Sequence, residues 1–215
     1  MSLFLDIGTG AGLASASGVR PYLPPLLAGG LARGDIGIDF DGTDLWWLES
    51  PAFLAAVLAL GVVGFLVERL PPAPRTRGSG GPAANRASPD IGGRLGRGPA
   101  EIFAGVIGLV LAALLFAGAL VDNGHEAWIG LVFGPLCAAL GWLAIGGLVE
   151  RVRARLPADQ AALVTAYADG AALILAAIAI FVSPLAFLAI PAFVILLLGG
   201  RRREGEKYAG LRILR

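Results

Sequence analysis

Arg20 sits in the stretch SGVRPYLPPLLAGG, residues 17–30, where Ser17 and Tyr22 are the only other polar side chains. A guanidinium at bilayer depth costs about 2.5 to 3.5 kcal/mol on insertion scales, so such a cation faces a partner, a polar cavity or a ligand. Pro21, Pro24 and Pro25 cannot donate the backbone hydrogen bond that a helix needs, and their rings disrupt the preceding turn. Backbone freed in this way is tolerated at membrane depth only where protein or water satisfies it. Arg20, Pro21, Tyr22, Pro24 and Pro25 are therefore expected to form a broken or re-entrant element lining a solute or ion path. Transporters use discontinuous helices in this manner. The alternative is a simple kink, with Arg20 snorkelling to headgroups near the outer interface.

Asp169 is the matching anion. A helix starting near Gln160 carries it roughly 14 Å inward at about 1.5 Å per residue. An Arg20–Asp169 pair inside the bundle would neutralise both charges. The competing expectation has Asp169 capping a helix that begins at Gly170, with residues 160–168 on the surface.

The remaining candidates are weaker. Glu68 and Arg69, like Glu150 and Arg151, end apolar runs; adjacent residues do not face each other on a helix, so each is expected to pair across helices or with lipid. Gly61, Gly64, Gly146 and Gly147 allow close helix approach. The segment DIGIDFDGTD offers Asp39, Asp41 and Asp44 to a divalent ion, but the calcium-loop spacing fails: with Gly42 as the turn glycine, Gly37 occupies the first ligand position and Glu49 falls one place late. GTGAG at residues 8–12 does not match the dinucleotide fingerprint, so no cofactor is expected. His125, the single histidine, lies in a loop, and Cys137, the single cysteine, lies in mid-span; neither supports a catalytic triad or a zinc site. Without a nucleophile and base, the chain is not expected to be an enzyme.

The elements that must position these residues follow from composition. Hydrophobic residues make up 56% of the 215-residue chain and charged residues 15%, against about 25% charged in an ordinary soluble domain. An integral membrane protein is implied. The net charge of +1 excludes a general nucleic-acid binder, which needs a surplus of Lys and Arg. Roughly 20 apolar residues cross a hydrocarbon core of about 30 Å. Residues 51–67, 102–121 and 127–149 each supply such a run, and residues 170–200 are divided by Ser183 and Pro184 into a hairpin. With the broken first segment, residues 3–32, the expected architecture is an all-α bundle of six spans built as three hairpins.

Charge sets the orientation, because cytoplasmic loops carry the Lys and Arg excess. Basic clusters occupy residues 75–97, 151–155 and 201–215, whereas the loops Asp35–Glu49 and Asp122–Glu126 are acidic. Both termini are expected in the cytoplasm and both acidic loops outside. The organisation read from this is a first hairpin over 1–70, a disordered Pro-, Gly- and Arg-rich linker over 71–99, a four-span bundle over 100–200 and a basic tail over 201–215. The stretches from Phe40 and from Val121 also align at one offset, Gly42 with Gly124 and Trp46 with Trp128, as a parallel hairpin repeat would; convergence of apolar sequence gives the same pattern.

GLASASGVRPYLPPLLAGGLA, WWLESPAFLAAVLALGVVGFLVERLP and ADGAALILAAIAIFVSPLAFLA together resemble the bacterial membrane proteins of domain of unknown function family 4126. The resemblance covers most of the chain apart from the linker, where an Asp of the family pattern is absent after Pro71. It implies a multi-pass protein of the bacterial plasma membrane and no particular activity. Two functions fit: a small transporter- or channel-like protein, expected to be a homo-oligomer because six short spans enclose little volume, or a noncatalytic structural protein whose basic tail contacts anionic lipid or a partner.

Overall fold

The computed structural model describes residues 3–69, 99–146, 148, 149, 152, 156 and 158–209, and every regular element among them is helical. Helices α1 (Leu3–Val19) and α2 (Leu23–Ala32) flank the proline stretch. A 3-10 turn at Trp46–Glu49 leads into α3 (Pro51–Arg69). The expected linker lies outside the described residues, apart from Pro99, which starts α4 (Pro99–Val121). Helix α5 (Ala127–Gly141) runs on into a π-helical turn at Trp142–Gly146. Helices α6 (Ala158–Phe181) and α7 (Ala189–Ala209) are joined by one helical turn, Ser183–Ala186.

Ser183 and Pro184 thus do divide the long apolar run, because Val182 leaves helical geometry at φ −135 and ψ 62. Asp169 falls inside α6 and does not cap a helix at Gly170. Two stretches, Ala127–Ile145 and Leu163–Phe181, are long and apolar enough to cross a membrane. Pro51–Leu66, Gly105–Val121 and Ser183–Gly199 are shorter apolar helices.

On α5 and α6 small residues form the inward face and large ones the outward face. On α6, Ala168, Ala172, Ala176 and Ala179 face inward at helical spacing, while Leu163, Tyr167, Leu173, Ile174 and Phe181 are exposed. On α5, Gly130, Gly134, Cys137, Ala138 and Gly141 are buried and Leu131, Val132, Phe133 and Leu136 point outward. A water-soluble helix distributes its bulk the other way. Close approach of backbones is the gain: a Cβ at Gly10 would stand 2.5 Å from the Phe116 ring, and one at Gly18 would collide with the Ala138 carbonyl.

That small-residue surface lets α1 sit at the centre, walled by α4, α5, α6 and the Ser183–Ala186 turn. Residues 10–17 are all buried. Near its start, Phe4 stacks on Phe187 at 4.2 Å and Thr9 Oγ1 donates to Ser183 Oγ at 2.8 Å. Near its end, Gly18 meets α5 and Arg20 meets α6.

The first segment doubles back. Helix α1 starts beside His125 of the α4–α5 turn, and the loop after α2 returns to the same end of the bundle, where Gly37 abuts Ile180 and Phe40 fills the space over Gly118. The physical reason is the break itself: the prolines stop α1 part-way, and α2 leaves in the reverse direction along α3, with Gly29 against Leu48 and Leu54, and Tyr22 against Gly61.

Candidate functional site: the break between α1 and α2

Local chemistry explains why the break forms where it does. The Arg20 N–H donates to the Ala16 carbonyl at 3.0 Å, closing the last turn of α1. Pro24 and Pro25 then occupy the first turn of α2, where a backbone N–H has no helical partner in any case. The same residues that end one helix are therefore compatible with the start of the next. Leu26 is the first to resume the ladder, donating to the Tyr22 carbonyl at 3.3 Å. Pro24 and Pro25 are buried, Pro21 packs toward Gly108 of α4, and Tyr22 lies across Gly61 and Gly64 of α3.

Arg20 and Asp169 meet at this point, Nε to Oδ1 at 2.5 Å. Their side chains are 19% and 36% exposed, so the pair is only partly enclosed. Along α6, Asp169 lies roughly 18 Å from Phe181 and roughly 16 Å from Ala158 at about 1.5 Å per residue, near the middle of the bundle. Pro21, Pro24 and Pro25 supply no backbone N–H across the break. The break is thus rich in acceptors, and its cationic donor group is the guanidinium, with five N–H in a fixed fork.

A second charge contact lies at the opposite end of α1. Asp6 is 3% exposed, and its Oδ2 stands 3.2 Å from His125 Nε2. Neither atom makes a hydrogen bond, so the two are close without alignment. Sequence reasoning passed over Asp6, although one signal was there: it is the only charged residue among the first nineteen.

The acidic loop gathers Asp35, Asp39 and Asp41, whose carboxylate oxygens lie within 4.8 Å of one another. Asp44 is not in that group, and Asp35 takes its place. The Asp41 N–H donates to Asp39 Oδ1 at 2.8 Å, and Gly42 turns the chain at φ +74. With one converging oxygen from each, the three exposed carboxylates offer fewer than the roughly six to eight oxygens that calcium takes. Burial, followed by a side-chain hydrogen bond with Asp41 and then the Asp41 and Asp39 charges, raises the Glu49 carboxyl above its ordinary value. Burial and then Asp39 do the same to Asp122. Gly42 and Gly124, matched by the internal alignment, share a left-handed φ of +74 and +76. The side chains of Glu68, Arg69, Glu150 and Arg151 lie outside the described residues.

No family model, no curated protein and no solved structure matches the chain.

Proposed function

We propose that the chain is a transporter- or channel-like protein of the bacterial plasma membrane, with α3, α4, α5, α6 and α7 crossing the bilayer and α1–α2 entering it as a re-entrant hairpin. Helices α5 and α6, with Ala and Gly inside and Leu, Val, Ile and Phe outside, support the membrane assignment, since lipid rewards neither burial of large side chains nor exposure of polar ones. With the acidic loops outside, five crossings place all three basic clusters inside and the start of α1 outside. The proposed membership of domain of unknown function family 4126 agrees with this location.

The observation that carries the transport reading is the Arg20–Asp169 pair at the tip of a broken helix, midway through the bundle and partly exposed. Its acceptor-rich backbone and paired charges would line the path, with homo-oligomers enclosing it. A structural or accessory role is the second reading, favoured by the close backbone contacts of α1 and α5 at Gly18 and Gly141.

Cysteine accessibility separates the two. On a Cys137→Ala background, single cysteines across residues 17–30 are exposed to a membrane-impermeant thiol reagent in sealed vesicles. Labelling at positions 20–22 from the acidic side supports a water-filled path; a completely unreactive stretch removes the transport reading and leaves the structural one.

A further inference from the structure

We propose that the substrate of the path is a phospholipid with a zwitterionic headgroup, which enters from the bilayer through a gap between α3 and α4 and offers its phosphate to Arg20 and its ammonium to Asp169. The proposal rests on the transport reading and names what is moved between the leaflets.

The gap begins where the break ends. Helix α3 packs on α2 and on the turn before it, and α4 packs on α1, α5 and α2. Pro21 and Tyr22 are the spacer at the tip: a Cβ at Gly108 of α4 would stand 2.9 Å from Pro21, and Tyr22 lies over Gly61 and Gly64 of α3. One turn further toward the basic loops, on the same face of α4, a Cβ at Gly105 would meet nothing within 4 Å. On α3, residues 58–66 are all exposed apart from the Gly61 and Gly64 strip under Tyr22, so both flanks of that helix are open. Since α1 and α2 both stop at the break, no described helix continues between α3 and α4 beyond it.

The chemistry along the gap changes from apolar to paired charge. Its flanks carry Leu58, Val62 and Val63 on α3 and Val106 and Val110 on α4, all exposed, which suit acyl chains and give a free polar solute no partner. Its closed end is Pro21 and Tyr22, beside the Arg20–Asp169 pair, whose side chains are 19% and 36% exposed. A purely anionic headgroup would take Arg20 and leave Asp169 without its counter-charge in a partly enclosed place, which is costly. A zwitterionic headgroup exchanges with both members at once: the guanidinium fork matches two phosphate oxygens, and the carboxylate accepts from the ammonium. When the headgroup leaves, the pair closes again. Charge within the bundle is thus compensated at each stage, and the chains stay in lipid throughout.

The experiment uses the full chain in vesicles of phosphatidylglycerol carrying a trace of chain-labelled fluorescent phosphatidylethanolamine or phosphatidylglycerol. Dithionite added outside reports the arrival of inner-leaflet probe. The phosphatidylethanolamine probe is expected to become accessible faster than in protein-free vesicles, and the phosphatidylglycerol probe to stay at the protein-free rate. Arg20→Gln with Asp169→Asn, which keeps size and net charge, is expected to lose that selectivity. Equal rates for the two probes, or a folded double variant as selective as the wild type, overturn the proposal. Should the double variant not fold, Gly105→Trp decides, because it adds bulk where nothing lies within 4 Å; it is expected to slow the phosphatidylethanolamine probe, and a wild-type rate overturns the proposal. Protein-free rates for both probes, with cysteines at 20–22 still labelled from the acidic side, overturn the lipid substrate and leave transport of a soluble solute. The same rates with an unreactive stretch remove both readings.

Discussion

The two ends of α1 carry charge contacts built on different principles. At the break, a permanently charged guanidinium meets Asp169 at 2.5 Å where both side chains keep some exposure. At the start, a titratable imidazole meets a carboxylate that is almost fully buried, 3.2 Å away and out of hydrogen-bond alignment. One helix is thus held at mid-bundle by an ion pair and lies at its entrance beside an imidazole that is close without being hydrogen-bonded. The small residues between them let α1 lie deep enough for both ends to find partners.

Breaking the packing between the two pairs is expected to have the largest effect. In Gly18→Ala, the added Cβ runs into the Ala138 carbonyl, and because backbone must move, a loss of about 3 kcal/mol is expected. Gly30→Ala is the control, since a Cβ there meets nothing within 4 Å and alanine is the better helix former by up to about 1 kcal/mol. Thermal unfolding in a mild detergent compares them. If Gly18→Ala melts with Gly30→Ala, close backbone contact is not what positions α1.

A smaller effect is expected from the pair at the break. Asp169→Ala leaves Arg20 without this counter-charge; partial exposure discounts the penalty of a fully buried orphan to about 2 kcal/mol. Arg20→Asp and Asp169→Arg singly are expected to reduce folded yield, and the exchanged double variant to recover a substantial part of it. A double variant no better than the worse single one would remove the direct coupling.

The smallest effect belongs to the acidic end around Asp6. Asp122 has a folded-state pKa raised above the ordinary 3.8, so the fold binds its proton more tightly than the unfolded chain does. Its contribution to stability therefore declines as pH rises from 3.8 through the raised value, and the charged form is unfavourable above it. Asp122→Asn is expected to melt slightly higher than the wild type at neutral pH, the gap closing as pH falls toward 4. A gap that widens on acidification would show that Asp122 is not strained by its neighbours.

Much of the helical organisation was legible because it depends on local rules. Clustered prolines withhold several backbone N–H groups at once, so the break at residues 20–22 could be placed from residue type, as could the turn at Ser183 and Pro184, whereas the lone Pro135 is accommodated within α5. The pairing of Arg20 with Asp169 was approachable for a related reason: lone opposite charges in apolar segments have few places to go. The left-handed turns at Gly42 and Gly124 likewise belong to residue types that adopt them without strain. The Asp6–His125 contact was not approachable in this way, because a loop histidine more than a hundred positions away gives no periodic signal of its neighbour.

By itself the sequence determined an all-helical chain, the positions of its two breaks, and which residues are too polar to be left alone. The tertiary structure decided the direction that α2 takes after the prolines, and with it the end of the bundle at which α1 begins. A proline stops a helix without specifying the next helix's heading, which is set by the surfaces offered by α3 and α4. Glycine at positions 61, 64 and 108 leaves room there for Tyr22 and Pro21, and the chain turns back into that space.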